Sequence, residues 1–188
     1  MNEVLKTIES RFSCRGYTGK AVEPSVMRSI VKAGLESPSA KNFQPWKIIA
    51  INNKEIVDEM DAEAMDNLRA MEDSRMYNLI AERGGKIFYN APAIILVLKE
   101  KNPQSSWVDI DCGILTQNMT LAATSLGLSS CIVALAAFVF KSSYAEELKE
   151  ILQWPSGYEF AMGLLVGEGN NTKDPHEIDW GKAVIIDE

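Results

Sequence analysis

Hydrophobic residues recur along the chain at two spacings, and the switches between them mark its elements. Val4, Leu5 and Ile8 stand at helical spacing within residues 2–10, which predicts a first helix. The stretch from Arg11 to Pro24 is too polar and glycine-rich for a core helix. A second helix opens near Pro24, whose fixed φ suits a first turn, and carries Val26, Ile30, Val31 and Leu35. Trp46 to Ile51 and Ala93 to Leu98 are short apolar runs that predict buried strands. Between them, Lys54 to about Ile87 reads as helical, with Gly84-Gly85 as cap and turn. Residues 107–126 form the longest helical candidate, stopped by Gly127. A strand over Ser130 to Leu135, a helix over Ser142 to Leu152 and a strand over Phe160 to Val166 follow. Last come a polar stretch of sixteen residues, GEGNNTKDPHEIDWGK, and an apolar run, AVIID.

Helices that alternate with near-continuous apolar strands predict a mixed sheet covered on both faces. No repeat, low-complexity tract or linker divides the 188 residues, so residues 1–188 are expected to form a single domain. The polar stretch near the end is long for a compact domain, and such segments tend to be functional or to reach elsewhere. A strand at its end is expected to pair with this sheet or with a partner's.

Net charge −7 argues against a nucleic-acid footprint, which needs a basic face, but leaves room for a local anion site. No run approaches the roughly 18–20 apolar residues of a membrane span, and the N-terminus has no apolar signal-peptide centre. Three cysteines without a CxxC pair point to free thiols and a reducing, cytoplasmic setting.

Most catalytic signatures are missing. The one histidine, His176, follows a proline in the polar stretch and reads as solvated. Gly167-x-Gly169 lacks the third glycine and helix of a dinucleotide fingerprint, and Gly84-Gly85-Lys86 lacks phosphate-cradle spacing. Cys14 lies beside Arg15, a cation that would lower a thiol pKa, whereas Cys112 and Cys131 read as small core residues. The stronger pattern is Arg11-x-Ser13-x-Arg15. In an extended segment alternate residues share a side, so two guanidiniums and a hydroxyl would converge, a set suited to phosphate. The alternative is a pair of surface arginines near acidic helices.

These residues resemble the FMN-dependent nitroreductase family. The resemblance rests on Arg11-Phe12-Ser13-Cys14-Arg15-Gly16-Tyr17 and, about twenty residues later, on SPSAKNFQPW over Ser37 to Trp46. It continues through NAPAIILV, QNMTLAATSLGLSSC, the strand closing on VGEG and TKDPHEID, and so covers nearly the whole chain. It implies an α+β fold: a mixed, mainly antiparallel sheet flanked by helices on both faces, with the C-terminal strand exchanged in a homodimer. It also implies that Arg11, Ser13 and Arg15 bind the FMN phosphate and ribityl chain, completed by Lys173. Asn171 stands where some members carry a second basic residue. Pro38, Ser39 and Ala40 would lie along the isoalloxazine ring of the second subunit's flavin, with Asn42 a further contact, Gln44 a loop brace and Trp46 core. Ile132, Val133, Ala134 and Leu135 match the stretch near flavin N5. Leu135 replaces a common glycine, which would narrow the space there. Lys86 is the nearest match to a family contact before the second strand.

The activity implied is ping-pong electron transfer from NADH or NADPH to a small-molecule acceptor, nitroaromatic, quinone or related, at two shared sites. Because flavin carries that chemistry, no acid–base pair is required of the protein. A flavin-binding sensor or carrier, or a specialised branch such as a reductive dehalogenase, is the alternative. The chain is short for the family, which implies a reduced helical excursion over the site within residues 60–85.

Overall fold

Six consecutive residues, Ala93 to Leu98, are completely buried, and this one run dictates the architecture. Successive side chains of a strand point to opposite faces, so a strand buried at every position must be covered twice. The computed structural model, which describes residues 1–186, provides both covers. The run belongs to β2 (Ala93–Glu100), paired antiparallel with β1 (Trp46–Ile51) and β4 (Tyr158–Gly167); β3 (Ser129–Val133) completes the order β1-β2-β4-β3. All three strand pairs are antiparallel. The parallel component of the expected mixed sheet is an isolated bridge between Ser13 and Ser130.

Ala93, Ile95 and Val97 face α2 (Pro24–Leu35) and α5 (Val108–Ser125), where Met27, Ile30, Leu115 and Met119 meet them. Ile94, Leu96 and Leu98 face the other way, onto Val57, Met60 and Leu68 of α3 (Lys54–Ala70), Ile80 of α4 (Arg75–Glu82), and Leu148 of α6 (Ala145–Ile151). Phe88, Ala136 and Val139 belong to this second core. The short helix α1 (Glu3–Ser10) lies against α5 and leaves Val4, Leu5 and Ile8 exposed.

Helix α5 is buried along much of its length yet carries Thr116 and Thr120. Their hydroxyls donate to the carbonyls of Cys112 and Thr116, at 2.7 and 2.8 Å, so neither is left unpaired. Gly127 stops the helix as expected, at φ +78°, a left-handed conformation that costs glycine nothing. There the Leu128 and Gly127 N–H groups donate back to the carbonyls of Ala123 and Thr124.

Several boundaries differ from the sequence expectation. The helical stretch 54–87 is two helices separated at 71–74, and Gly84 and Gly85, both at positive φ, form the expected turn. Strand β3 stops at Val133; Ala134 and Leu135 begin a 3-10 segment, Ala134–Lys141. The last helix is shorter than Ser142 to Leu152. Of the apolar run AVIID, Ala183 to Ile186 are exposed and form no strand within the chain, while Asp187 lies outside the described residues. A strand needs a ladder partner, and no described strand of this chain lies alongside the run.

One buried carboxylate organises the turn before β2. Asp61 of α3 accepts from the N–H groups of Ile87 and Phe88 at 2.8 and 3.0 Å. Burial raises its pKa; these two donors and Lys86 pull it down, and Asp58 adds to the rise. Its folded pKa is above the unfolded value, so its ionisation term favours folding below about pH 3.9 and is lost as pH rises through the folded value. Asp61→Ala is expected to cost about 2 kcal/mol at pH 7 by orphaning two N–H groups. Asp61→Asn keeps an acceptor, so it is expected to stay within about 1 kcal/mol of wild type and to flatten the decline from pH 4 to 7. Urea unfolding of the three proteins at both pH values measures this.

Candidate functional site

Residues 11–17 run extended between the end of β3 and the segment after β4. The Cys14 N–H donates to the Ser130 carbonyl at 3.0 Å, Ser13 bridges Ser130, and Tyr17 bridges Gly169. Cys14 points into the core, so alternation turns Arg11, Ser13 and Arg15 the other way. Burial pushes the Cys131 thiol up, while Arg15 and Arg11 both pull it back down; the two arginines flank Ser13, which bridges Ser130 of β3. Among the described residues neither arginine forms an ion pair, although the chain holds 26 acidic residues. The hydroxyl of Ser130, 2% exposed, also finds no protein partner among them. Two unpaired cations, Ser13 and an orphaned buried hydroxyl form a donor set that fits a phosphate.

The chain beyond β4 braces this segment. The Asn170 N–H donates to the Gly16 carbonyl at 3.0 Å, and its side-chain amide donates to the Tyr17 carbonyl at 3.4 Å. Gly16 allows this close approach, since a Cβ there would stand 2.4 Å from Asn170 Oδ1 and displace that side chain. The Cys14 thiol donates to the carbonyl of Gly16 and to Asn171 Oδ1, at 3.0 and 3.2 Å. Cys14 is therefore a buried brace rather than an accessible thiol, and Asn171 is its partner. Cys112 and Cys131 are core residues as expected, with the Cys112 thiol pushed up to about 12 by burial. Lys173 follows on the exposed tail, and His176 is exposed there too.

The second cluster is the connection from α2 to β1. Lys41, Asn42 and Gln44 are non-glycine residues at φ +49°, +57° and +49°. Such backbone costs about 1 kcal/mol per residue and persists only where its surroundings impose it. Two side chains of α5, seven residues apart and so on one face, impose it here. Asp111 Oδ1 accepts from the Ala40 N–H at 3.1 Å, and Asn118 Nδ2 donates to the buried Ser37 hydroxyl at 2.8 Å. Within the turn, the Gln44 N–H donates to Ser39 Oγ at 2.9 Å, so Gln44 braces the loop through its backbone. Trp46 is core, at 5% exposure. Pro38 and Asn42 are exposed, with Ser39 and Ala40 partly so.

Ile132 and Ala134 are exposed while Val133 is buried and Leu135 half-buried, so this stretch offers an apolar edge beside the basic segment. Lys86 lies 3.8 Å from Asp58 on the α3 side, and its segment reaches the site through the Tyr17 N–H to Tyr89 carbonyl bond. The Pro38–Asn42 loop and Ser37 before it are held at Asp111 and Asn118 of α5, whereas the basic segment is held at Ser130, past the C-terminal end of that helix; among the described residues no hydrogen bond or ion pair joins the two. Sequence reasoning missed Asp111, Asn118, Asn170 and Ser130. The only signal was polar residues inside apolar patterns.

Asp111→Ala is expected to speed amide exchange at Ala40 at least tenfold by removing its acceptor, whereas Asp111→Asn keeps an oxygen and changes it less. Hydrogen exchange followed by NMR at Ala40 reports this, and unchanged protection would remove the tether.

The family model described as "Nitroreductase family" matches residues 8–168. An Archaeoglobus fulgidus protein provisionally named NADH dehydrogenase/NAD(P)H nitroreductase is 30% identical over 183 residues, covering 95% of this chain and 92% of that protein. A nitroreductase with bound FMN from Desulfitobacterium hafniense has the same fold, with a TM-score of 0.92, 40% identity and 100% coverage of both chains. A second FMN-bound nitroreductase, from Bacteroides fragilis, gives 0.85 at 25% identity, again over 100% of both chains. With the α+β sheet and the motifs in place on it, the chain belongs to the nitroreductase family, a family of oxidoreductases.

Proposed function

We propose that the protein is an FMN-dependent oxidoreductase that passes electrons from NADH or NADPH to nitroaromatic, quinone or related small-molecule acceptors by a ping-pong scheme. The observation that carries this reading is the pair Arg11 and Arg15, without an ion pair among the described residues of an acidic chain and flanking Ser13, the bridge partner of Ser130, whose buried hydroxyl has no partner among them either. FMN bound there would supply the redox chemistry, accepting and donating hydride equivalents. Arg11, Ser13 and Arg15 would hold its phosphate and ribityl chain, with Lys173 closing over them. Ile132, Val133, Ala134 and Leu135 would border the ring edge, with Leu135 narrowing the space, and Lys86 would approach from the α3 side. Pro38, Ser39, Ala40 and Asn42 would form a wall for the ring bound by a second copy.

The two clusters are held by different parts of the chain with no bond between them among the described residues, which leaves the loop free to serve a neighbour's basic segment. A homodimer also gives the exposed tail a place. Ile178, Trp180, Val184, Ile185 and Ile186 are all more than half exposed. Strand β1 has a free outer edge. Beside it, Met27, Val31, Leu35 and Ala50 line an apolar groove of about 540 Å³. An exchanged C-terminal strand would cover both.

Purified protein is expected to be yellow, to bleach with NADH or NADPH under anaerobic conditions and to regain colour with a nitroaromatic. A colourless preparation that takes up no added FMN would overturn the reading. Arg15→Ala is expected to weaken FMN binding at least tenfold through a lost charge-assisted contact. Titration of apoprotein with FMN measures it, and unchanged affinity removes Arg15 from the site. Ile185→Asp is expected to shift the dimer toward monomer in sedimentation velocity, and an unaltered dimer would rule out the exchanged tail.

A further inference from the structure

Beside the strained loop lies a small pocket that the FMN contacts proposed above do not use. Its volume is about 300 Å³, and its walls are Ala40, Lys41, Phe43 and the run Gln104 to Trp107. Ala40 belongs to the proposed ring wall, so the pocket opens next to where an acceptor would stack. Two of its walls are aromatic and exposed, Trp107 at 59% and Phe43 at 38%. The Trp107 N–H donates to Ser105 Oγ at 3.1 Å, which ties that side of the pocket into a turn.

The charge of the pocket is set by Lys41. Its backbone sits at φ +49° inside the turn pinned by Asp111 and Ser39, so the side chain leaves from a fixed point. No described carboxylate comes within ion-pair distance of it. Of the nearby acids, Asp109 pairs with Lys99 at 2.8 Å, and Asp111 is buried, one oxygen accepting from the Ala40 N–H and the other without a partner among the described residues. Helix α5 begins at Val108 without a side-chain cap, and its N-terminal dipole has the same sign as the lysine. A lysine without an ion-pair partner among the described residues, lining one pocket with two aromatic side chains, two serines and Gln104, suits a flat aromatic ligand that carries an anion.

We propose that this pocket selects aromatic electron acceptors bearing a carboxylate or comparable anion, with Lys41 as the specificity-determining residue. The inference rests on the flavin-site reading above and names the acceptor class for that site. A competing source of negative charge is the 2′-phosphate of NADPH. That group sits on the adenosine ribose, at the far end of the dinucleotide from the nicotinamide, whereas the pocket adjoins the ring wall and is lined by aromatic side chains. The acceptor is the better match.

The test uses the holoenzyme and two acceptors of nearly equal shape, 4-nitrobenzoate and its neutral methyl ester. In the wild type, kcat/KM is expected to favour the anion, and the preference should fall as salt rises from about 10 to 300 mM, as screening of an exposed charge requires. Lys41→Met should lower the anion-to-ester ratio about tenfold, and Lys41→Arg should restore most of it. Bound-flavin absorbance confirms that each variant is loaded. A ratio unchanged in Lys41→Met overturns the proposal. So does a variant whose NADPH-to-NADH ratio changes while the acceptor ratio does not, because Lys41 would then read the nucleotide. Anaerobic flavin reduction by NADH or NADPH, recorded first, separates the two levels. Its absence overturns the flavin reading and this one with it, and its presence beside an unchanged acceptor ratio overturns only the assignment of Lys41.

Discussion

Complete burial of β2 is the constraint from which the rest of the structure follows. Ile94, Ile95, Leu96, Val97 and Leu98 leave water entirely, each contributing about 1.5–3 kcal/mol of burial, and they point alternately to two faces. One helical layer cannot satisfy such a strand. Helices α2 and α5 take one face, and α3, α4, α6 and the Ala134–Lys141 segment take the other. With the middle occupied, functional groups are confined to the sheet's rim and to the two ends of α5. Both candidate clusters are found there.

Helix α5 links those clusters mechanically. Through Asp111 in its first turn and Asn118 past its middle it pins a loop with three left-handed non-glycine residues. Past its end, the Gly127 stop sends the chain into β3, whose Ser130 receives the extended basic segment. Strain at the loop is thus offset by buried polar contacts from an element that the core already holds rigid. The braces at the other end are also polar: Asn170 and Asn171, themselves exposed, grip the backbone of Gly16 and Tyr17 and the buried thiol of Cys14. Each is a short-range bond between segments distant in sequence.

Much of this was legible beforehand. The apolar runs located all four strands of the described sheet: β2 reads as apolar throughout because both its faces are buried, and β1, exposed at Lys47 and Ala50, still reads as a strand through Ile48, Ile49 and Ile51. Pro24 and Gly127 marked the start of α2 and the end of α5, because each acts through its own backbone. Where the reading slipped, the deciding force was not local. Leu135 has a side chain as suited to a strand as Val133, yet the ladder with β4 ends at Val133 paired with Gly163. The tail residues Val184 to Ile186 have strand composition but no ladder partner in their own chain.

The sequence by itself determined the class of fold and the identity of the phosphate-suited segment, because alternation and the spacing of Arg11, Ser13 and Arg15 are properties of neighbouring residues. It also exposed the unusual density of small and polar residues in Ser37 to Pro45. Only the tertiary structure decided which groups hold those segments in place. That Asp111 would meet Ala40, that Asn171 would meet Cys14, and that Lys41 would be left without a carboxylate all depend on packing between elements far apart in the chain.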